Sequence, residues 1–393
     1  PYHPGPRAAA PRGTTTLVDY AGQTRGSTLA AGLAESKARA EGHSYIDYGF
    51  HMMVTDVHPG TLAEFAEMMG EGVTTFKLFT AYPGVNLSDD RQILEAMQVA
   101  AGLGATVMMH AENGIAIDAL RDQAVERGDT DPIFHLLTRP ASLEAEAVHR
   151  VSSFAEVKGC PLVIVHISSA DAFAEAVVAR DRGLPVFAET CPQYLWLAEE
   201  DVPEGFEAAK FVCSPPLRRR DEGHQAALWA GIANGRMDAV ATDHCPFTWD
   251  QKEAGRGDFR KIPNGLAVVE HRVDLLFQGV VEGWIPLTRW VEVLSETPAK
   301  ISGLFPRKGA IAPGSDADIV IYDPATSQTL SAETHHMAVD FSVFEGAEIS
   351  GRVETVLLRG EVIVDDGEFI GAPGRGQYLV RGTNAMLPEP TGT

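Results

Sequence analysis

Four residues of types that can bind divalent metals each come at the end of a short apolar run. Lys77 lies within residues 74–82, and His110, His166 and Asp243 end similar runs further along the chain. A buried ammonium without a partner is costly, but a neutral lysine can react with carbon dioxide to give a carbamate, an anionic oxygen ligand. Imidazoles and bridging carbamate oxygens suit a pair of zinc ions. The four residues therefore predict a metal centre.

Each of these residues also has an ordinary structural explanation. A lone lysine in a strand commonly extends along the surface, a lone strand-end histidine is commonly a hydrogen-bonded core residue, and Asp243 could cap the turn that follows it. We favour the metal centre because four strand ends of one barrel would converge on one point. Glu112, Asn113, Ser168 and His244 are candidates to orient the ligands, although polar surface residues fit the same pattern.

The remaining histidines considered and the cysteines receive structural interpretations. His3, His51 and His58 are not expected to bind metal, because His58 precedes a Pro-Gly turn and His51 lies inside a strand-like run. The cysteines form no C-x-x-C pair, so we expect free thiols rather than disulfides or zinc ligands. They are Cys160, Cys191, Cys213 and Cys245.

Length and composition exclude several classes of protein. The chain has 393 residues, enough for two domains, and 45% of them are hydrophobic. Its formal net charge of −22 argues against nucleic acid or an anionic membrane as a partner. No apolar stretch has the length of a transmembrane helix, and the first residues do not resemble a signal peptide. We therefore expect a cytoplasmic protein.

The elements that must position these residues alternate between strands and helices. The strand-like runs are residues 15–20, 48–54, 75–79, 106–110, 162–167, 186–189 and 239–243. Amphipathic segments such as residues 90–103, 143–157 and 171–182 lie between them. This alternation predicts an α/β fold with a parallel sheet, and chemical groups at the carboxyl ends of strands favour a (β/α)₈ barrel. A doubly wound sheet is the alternative, but no G-x-G-x-x-G or Walker A pattern is present.

Three domains are predicted along the chain. Residues 1–304 form the barrel, which lacks its first strand because only seven strand-like runs can be counted. Residues 305–370 form a small β-sandwich subdomain, with strands at 318–322, 353–358 and 361–364 and a turn at Arg359-Gly360. Residues 371–393 are rich in Gly, Pro and Arg and form a tail that could pack on a neighbouring subunit.

Segments throughout the chain resemble segments of one protein family, and they occur in the same order along the sequence. They include Phe-Lys-Leu-Phe-Thr-Ala-Tyr (76–82), His-Ala-Glu-Asn-Gly (110–114), Val-His-Ile-Ser (165–168), Cys-Ser-Pro-Pro-Leu-Arg (213–218), Thr-Asp-His-Cys-Pro-Phe (242–247) and Lys-Ile-Pro-Asn-Gly (261–265). Residues 189–195, 298–301 and 314–318 continue the likeness. The chain thus resembles the dihydropyrimidinase and D-hydantoinase family of cyclic amidohydrolases.

The resemblance implies a role for each metal ligand. Lys77 would be the carbamylated bridge between two zinc ions or other divalent metals. His110 and His166 would hold one metal. Asp243 would bind the other and act as general base and then acid, and Tyr82 would donate a hydrogen bond to the developing oxyanion.

The resemblance also implies a substrate and an assembly. The substrate would be a small cyclic amide or imide, opened to an N-carbamoyl amino acid. Ser214 and Asn264 would meet its amide groups largely through their backbones, and Phe79 would line the pocket for its substituent. Relatives of this kind assemble as homotetramers, so we expect a homotetramer or homodimer.

One family motif is missing. The family has a His-x-His pair at the end of its first barrel strand, and this chain contains none. We expect roughly 50–80 further residues before Pro1 that carry this strand and pair. Residues 1–393 alone are expected to bind at most one metal tightly and to be poorly soluble or inactive.

Two alternatives remain at this point. An allantoinase or a dihydroorotase acts on related cyclic amides, although segments 213–218 and 262–265 favour a dihydropyrimidinase-like enzyme. A non-catalytic scaffold on the same fold is the other alternative. Retention of the lysine, the two histidines, the aspartate and the tyrosine argues against a scaffold.

Overall fold

The computed structural model describes residues 4–387. His3 lies outside these residues. Seven parallel strands follow one another across one sheet in chain order. They are β1 (Thr16–Gly22), β2 (Asp47–Met53), β3 (Thr75–Phe79), β4 (Thr106–His110), β5 (Leu162–Ile164), β6 (Val186–Thr190) and β7 (Ala239–Val240). Consecutive parallel neighbours joined by helical crossovers are the arrangement of a (β/α)₈ barrel, so the predicted fold is confirmed, with seven barrel strands among the described residues.

Burial explains why the strands read as continuous apolar runs. All five residues of β3 and all five of β4 are buried. Parallel strands are covered on both faces, by helices outside the barrel and by packed side chains inside it. A polar residue such as Lys77 therefore enters the core with its strand.

The crossover helices begin and end at recognisable signals. In α5, Asp89 and Gln92 form a capping box at the start, and Gly104 ends the helix with φ 68°. Its buried side chains are spaced three and four residues apart, so one face packs on the sheet. They are Ile93, Ala96, Met97 and Ala100. No helix among residues 4–387 is long and apolar enough to cross a membrane.

The α-helices are α1 (Pro4–Ala9), α2 (Leu29–Ala40), α3 (Pro59–Ala63), α4 (Phe65–Gly70), α5 (Asp90–Leu103), α6 (Gly114–Glu126), α7 (Phe134–Leu137), α8 (Ala141–Lys158), α9 (Ala170–Asp181), α10 (Pro192–Trp196), α11 (His224–Ala233), α12 (Trp249–Glu253), α13 (Arg272–Val281), α14 (Leu287–Val291) and α15 (Thr297–Ile301). Short 3₁₀ turns lie at Ala10–Arg12, Glu199–Asp201, Gly205–Phe211 and Phe259–Lys261, and a π-helical turn lies at Glu292–Glu296.

A second, antiparallel sheet follows the barrel. Its strands are β8 (Ile319–Thr329), β9 (Glu348–Leu358), β10 (Glu361–Asp365) and β11 (Glu368–Phe369), in the order β11-β10-β9-β8. Arg359 and Gly360 turn the chain between β9 and β10 with positive φ, as the sequence predicted. The sheet packs on α13, where the Gln278 side chain donates to the Ser350 carbonyl and accepts from the Ser350 N–H, both at 2.9 Å. Within residues 4–387 this unit is a single layer resting on the barrel.

The segment after residue 370 packs on the chain's own barrel as far as it is described. The Leu379 N–H donates to the Tyr48 carbonyl at 2.7 Å, and the Gly382 N–H donates to the Gly303 carbonyl at 2.8 Å. The buried Arg381 guanidinium donates to the Phe50 carbonyl at 2.6 Å. Contact of this segment with a neighbouring subunit stays a prediction, as do the exact domain limits.

Asp47 is a buried junction between the barrel and the residues that follow it. Its carboxylate accepts from Lys308 Nζ at 2.7 Å, from the Gln377 N–H at 2.9 Å and from Arg359. We expect Asp47→Ala to lower the free energy of unfolding by about 3 kcal/mol, because it removes the three hydrogen bonds of a buried carboxylate, although Lys308 keeps its ion pairs with Asp316 and Asp318.

Urea denaturation measures this effect as a lower midpoint with an unchanged slope. Asp221→Ala, which removes an exposed ion pair with Arg219, is the control and should leave the midpoint nearly unchanged. Equal midpoints for the two variants would contradict the role given to Asp47.

Candidate active site

The predicted metal ligands lie at one end of the barrel sheet. Lys77 is in β3, His110 is the last residue of β4, and His166 and Asp243 follow β5 and β7. Carboxyl ends of parallel strands meet at the same edge, which is where barrels of this kind carry their chemistry. Lys77, His110 and His166 are all buried, and Asp243 is half-buried.

The two histidines meet directly. His110 Nδ1 is 3.0 Å from His166 Nε2, and the ring centroids are 4.6 Å apart. His110 Nε2 is 2.8 Å from a carboxylate oxygen of Glu112, which is placed to accept a hydrogen bond from the ring. A carboxylate behind a histidine is the usual support of a metal-binding imidazole. The contacts thus bring two imidazoles together, with Glu112 behind one of them.

Charge and burial favour the metal-binding forms. Burial, with the positive charges that His110 and Lys77 would carry when protonated, lowers the pKa of His166 well below its usual value, so the ring is neutral at pH 7. Burial acts to raise the pKa of Glu112, but the hydrogen bond and charge of His110 and the charge of Arg139 outweigh it and lower that pKa. His166 Nδ1 is buried and has no hydrogen-bond partner among residues 4–387. Such an unpartnered nitrogen in a neutral, buried ring fits a metal site.

Lys77 has the environment of a reactive amine. Its Nζ lies 3.4 Å from the Tyr20 hydroxyl, 4.4 Å from the centre of the Tyr20 ring and 5.2 Å from that of Phe79. Burial lowers the pKa of Lys77, although the charges of Asp243 and Glu189 oppose this shift. Among the residues described, no carboxylate forms an ion pair with it. The neutral amine is the form that adds to carbon dioxide, and a lowered pKa favours that form.

Within the described part of the chain, no three His, Cys, Asp or Glu side chains are grouped closely enough to hold a metal. His110 and His166 supply two donors, and Asp243 is not grouped closely enough with both of them to be the third. Lys77 becomes a metal ligand only when a carbamate is added. The donor set therefore fits a metal through chemistry that the unmodified side chains do not supply.

The backbone at the site is left-handed in three places. Tyr82 has φ 64°, His166 has φ 45° and Asp243 has φ 46°. Among residues 4–387, only Arg359 and Asp366 are further non-glycine residues of this kind, and both lie in turns of the antiparallel sheet. Non-glycine residues rarely adopt this conformation, and those that do concentrate at functional sites.

These turns correct two predicted strands. The run at residues 162–167 is a strand only to Ile164, and the run at 239–243 is a strand only to Val240. The chain leaves the sheet there because the left-handed residue cannot continue a strand. The shorter strands place His166 and Asp243 on loops at the barrel mouth.

Tyr82 lies beside the histidines and the predicted substrate contacts. Its ring centroid is 5.2 Å from that of His110 and 6.1 Å from that of Phe79, and its phenol forms a hydrogen bond with Ser214. Burial, followed by the charge of Glu112, raises the pKa of Tyr82 far above its usual value. The phenol therefore keeps its proton and can donate a hydrogen bond.

Ser214 and Asn264 lie on adjoining segments. The Gly265 N–H donates to the Val212 carbonyl at 3.0 Å, which joins the segment after Asn264 to the one before Ser214. Ser214 is buried and Asn264 is half-buried. The structure brings Tyr82 and Ser214 into contact and places Asn264 on the neighbouring segment.

The predicted orienting residues divide into one that contacts a ligand and three that do not. Glu112 bonds His110, as above. Ser168 donates to Glu144 at 2.7 Å, His244 Nδ1 accepts from Val268 N–H at 3.1 Å, and Asn113 caps α6. His51 contacts Thr75 and the Tyr20 ring, and His58 caps α3.

Two residues near Lys77 were missed. Burial, with the charge of Asp243, raises the pKa of Glu189 to about 7, although the charge of Lys77 opposes the shift. The Tyr20 hydroxyl accepts a hydrogen bond from Lys77 Nζ at 3.4 Å. Both residues end apolar runs, at 186–189 and 15–20, and this position was the signal that identified the other ligands.

Comparison with known proteins places this arrangement in a family. Residues 7–363 match the model of the Amidohydrolase family. The chain is 57% identical over 388 residues to a D-hydantoinase from Streptomyces coelicolor, covering 98% of this chain and 83% of that protein. It is 46% identical over 390 residues to a D-hydantoinase from Geobacillus stearothermophilus, covering 98% and 82%.

Comparison with solved structures supports the same family assignment. The crystal structure of a dihydropyrimidinase from Brevibacillus agri superposes with a TM-score of 0.96 at 43% identity, covering 98% of this chain and 84% of that one. Because the fold, the site and these extended identities agree, the chain belongs to the amidohydrolase family, within its hydantoinase and dihydropyrimidinase group.

Proposed function

We propose that this cyclic amidohydrolase opens the ring amide of 5,6-dihydropyrimidines and 5-substituted hydantoins to N-carbamoyl amino acids, with the help of two divalent metals, zinc in the first instance. The proposal rests on one observation. His110 Nδ1 and His166 Nε2 lie 3.0 Å apart at the carboxyl end of the barrel sheet, where both residues are buried and the Tyr82 ring packs beside them. The identity of the chain to named D-hydantoinases supports the reaction class.

The metals would be held by four side chains. Lys77 would bridge them as a carbamate, His110 and His166 would bind one, and Asp243 would bind the other. When bound, the metals lower the pKa of a water so that a nucleophile exists at neutral pH. The low pKa of Lys77 and the neutral state of His166 support this assignment.

The chain's own residues would then move one proton and stabilise one charge. Asp243 accepts the proton of the attacking water on a carboxylate oxygen and passes it to the ring nitrogen that leaves. The carbonyl carbon gains a C–O bond and loses its C–N bond. Tyr82 donates its hydroxyl hydrogen to the carbonyl oxygen as negative charge develops there.

The substrate would be held next to these groups. The backbones at Ser214 and Asn264 would bind the ring's amide groups, and Phe79 would contact the substituent. Phe79 supports this assignment because its ring is 5.6 Å from that of His110.

We further propose a cytoplasmic homotetramer or homodimer that acts in pyrimidine catabolism and binds neither nucleic acid nor membranes. The formal net charge of −22 supports the proposal that the protein binds neither nucleic acid nor membranes, because a negatively charged surface repels polyanions. Sedimentation equilibrium of the full-length protein tests the assembly, and a monomer at all concentrations would contradict it.

An assay of the full-length, zinc-loaded protein tests the function. We expect turnover of 5,6-dihydrouracil and hydantoin, measured as the N-carbamoyl product, with loss of activity on chelation and recovery when zinc is returned. Allantoin and dihydroorotate are the comparison substrates. Preference for either would assign the chain to an allantoinase or dihydroorotase, and no turnover by the metal-loaded protein would favour a scaffold.

A further inference from the structure

Lys252 is a lysine with no exposed surface, and no step proposed above uses it. It lies in α12, and its side chain is 0% exposed. Its Nζ donates to three backbone carbonyls: that of Val212 at 3.0 Å, that of Pro263 at 2.7 Å and that of Gly265 at 3.0 Å. Three acceptors match the three N–H groups of an ammonium.

Carbonyl dipoles alone hold this charge. Lys252 forms no ion pair with any residue between 4 and 387. The Cys213 and Cys245 thiols face it, and burial raises their pKa values to about 12 and about 11, so both are neutral near pH 8. The Phe247 ring lies 5.4 Å away. An uncompensated buried cation is costly, so a role that requires three donors would explain it.

The three carbonyls belong to the two segments that would hold the substrate. Val212 comes two residues before Ser214, and Pro263 and Gly265 flank Asn264 on either side. Lys252 therefore ties these segments at three points, in addition to the backbone bond between Gly265 and Val212. A shift of about 1 Å between groups that bind one rigid ring is enough to impair its binding.

We propose that Lys252 is a positioning residue that sets the distance between the Ser214 and Asn264 segments and thereby the affinity for the cyclic amide. The inference rests on the proposed function, because it takes those two segments as the substrate contacts. Lys252 itself contacts neither Tyr82 nor the metal ligands.

A pH dependence follows from the same geometry. Burial lowers the pKa of Lys252 to about 8, although the thiols of Cys213 and Cys245 act to raise it. Above that pH the amine keeps two N–H donors for three carbonyls. One carbonyl then loses its partner, and the segments lose part of their restraint.

Steady-state kinetics of the full-length, zinc-loaded protein with dihydrouracil test the proposal. We expect Lys252→Gln to raise KM about 10-fold while kcat stays within about 3-fold and zinc per chain is unchanged. In the wild type we expect KM to rise between about pH 7 and about pH 9.5, and Lys252→Gln should lack this rise.

Arg289→Met is the matched control. Arg289 also donates to two backbone carbonyls, of Ile232 at 2.8 Å and Met237 at 2.9 Å, but these lead into the opposite end of β7. The Arg289→Met variant should be less stable than the wild type but should have the same KM. If Lys252→Gln does not fold, the wild-type pH profile decides.

Two results would overturn the proposal: a wild-type KM for Lys252→Gln with only reduced stability, or a wild-type KM that stays flat to about pH 9.5. The proposed function is judged separately, because it fails only if the wild-type, metal-loaded protein does not turn over dihydrouracil.

Discussion

Replacing Lys77 with alanine is expected to remove both metal binding and the hydrolysis of dihydrouracil by the full-length protein. The methyl side chain cannot form a carbamate, so the two metals lose the ligand proposed to join them. Zinc per chain should fall, and kcat/KM should drop by more than the roughly 100-fold typical of losing a residue that only orients a ligand. Elemental analysis and steady-state kinetics measure the two effects.

Chemical rescue distinguishes a lost ligand from a lost fold. Short-chain carboxylic acids, supplied with bicarbonate, should restore part of the activity of Lys77→Ala because they offer a substitute bridge. Lys158→Ala, at a half-buried lysine that bonds Gln98 outside the site, is the control and should keep wild-type activity. A fully active, metal-loaded wild type whose intact mass lacks the added carbon dioxide would refute the carbamate.

Replacing Tyr82 with phenylalanine is expected to lower kcat on dihydrouracil by about 10²–10³ with little change in zinc content. The ring that packs near His110 and Phe79 is retained, and only the hydroxyl that donates to the developing charge is lost. A reduced kcat with nearly constant KM would locate the effect in the transition state.

Tyr45→Phe provides the control for this change. The Tyr45 ring packs against Phe369 of the antiparallel sheet and precedes the amino end of β2, opposite the barrel end that carries the site, so removing its hydroxyl should leave kcat unchanged. A decrease of less than a few-fold for Tyr82→Phe would make Tyr82 a packing residue and require another donor for the oxyanion.

The sequence predicted the central strands well because burial dictates their composition. β3 and β4 have the predicted bounds, 75–79 and 106–110, since every residue in them is buried and almost all are apolar or β-branched. The antiparallel strands β8 and β9 are longer than predicted. They extend through half-exposed residues whose strand conformation comes from pairing with each other.

The site was predictable in its residue types and less so in its supporting contacts. Lys77, His110 and His166 end apolar runs, which local pattern reveals. The local pattern does not reveal the hydrogen-bond network that surrounds them, because its members are distant in sequence. Arg218, for example, donates to Glu144 at 2.8 Å and to Ser168 at 2.9 Å. Such contacts depend on the completed barrel.

The left-handed residues at the barrel mouth also bear on how this protein could be engineered. A glycine would relieve a backbone cost of about 1–2 kcal/mol at Tyr82, His166 or Asp243. At His166 the buried ring would lose packing that offsets this gain, but at the half-buried Asp243 a library screened only for heat resistance would enrich glycine and discard the reactive carboxylate. A screen that reports turnover would hold this codon fixed, so Asp243 marks where robustness and catalysis compete in this chain.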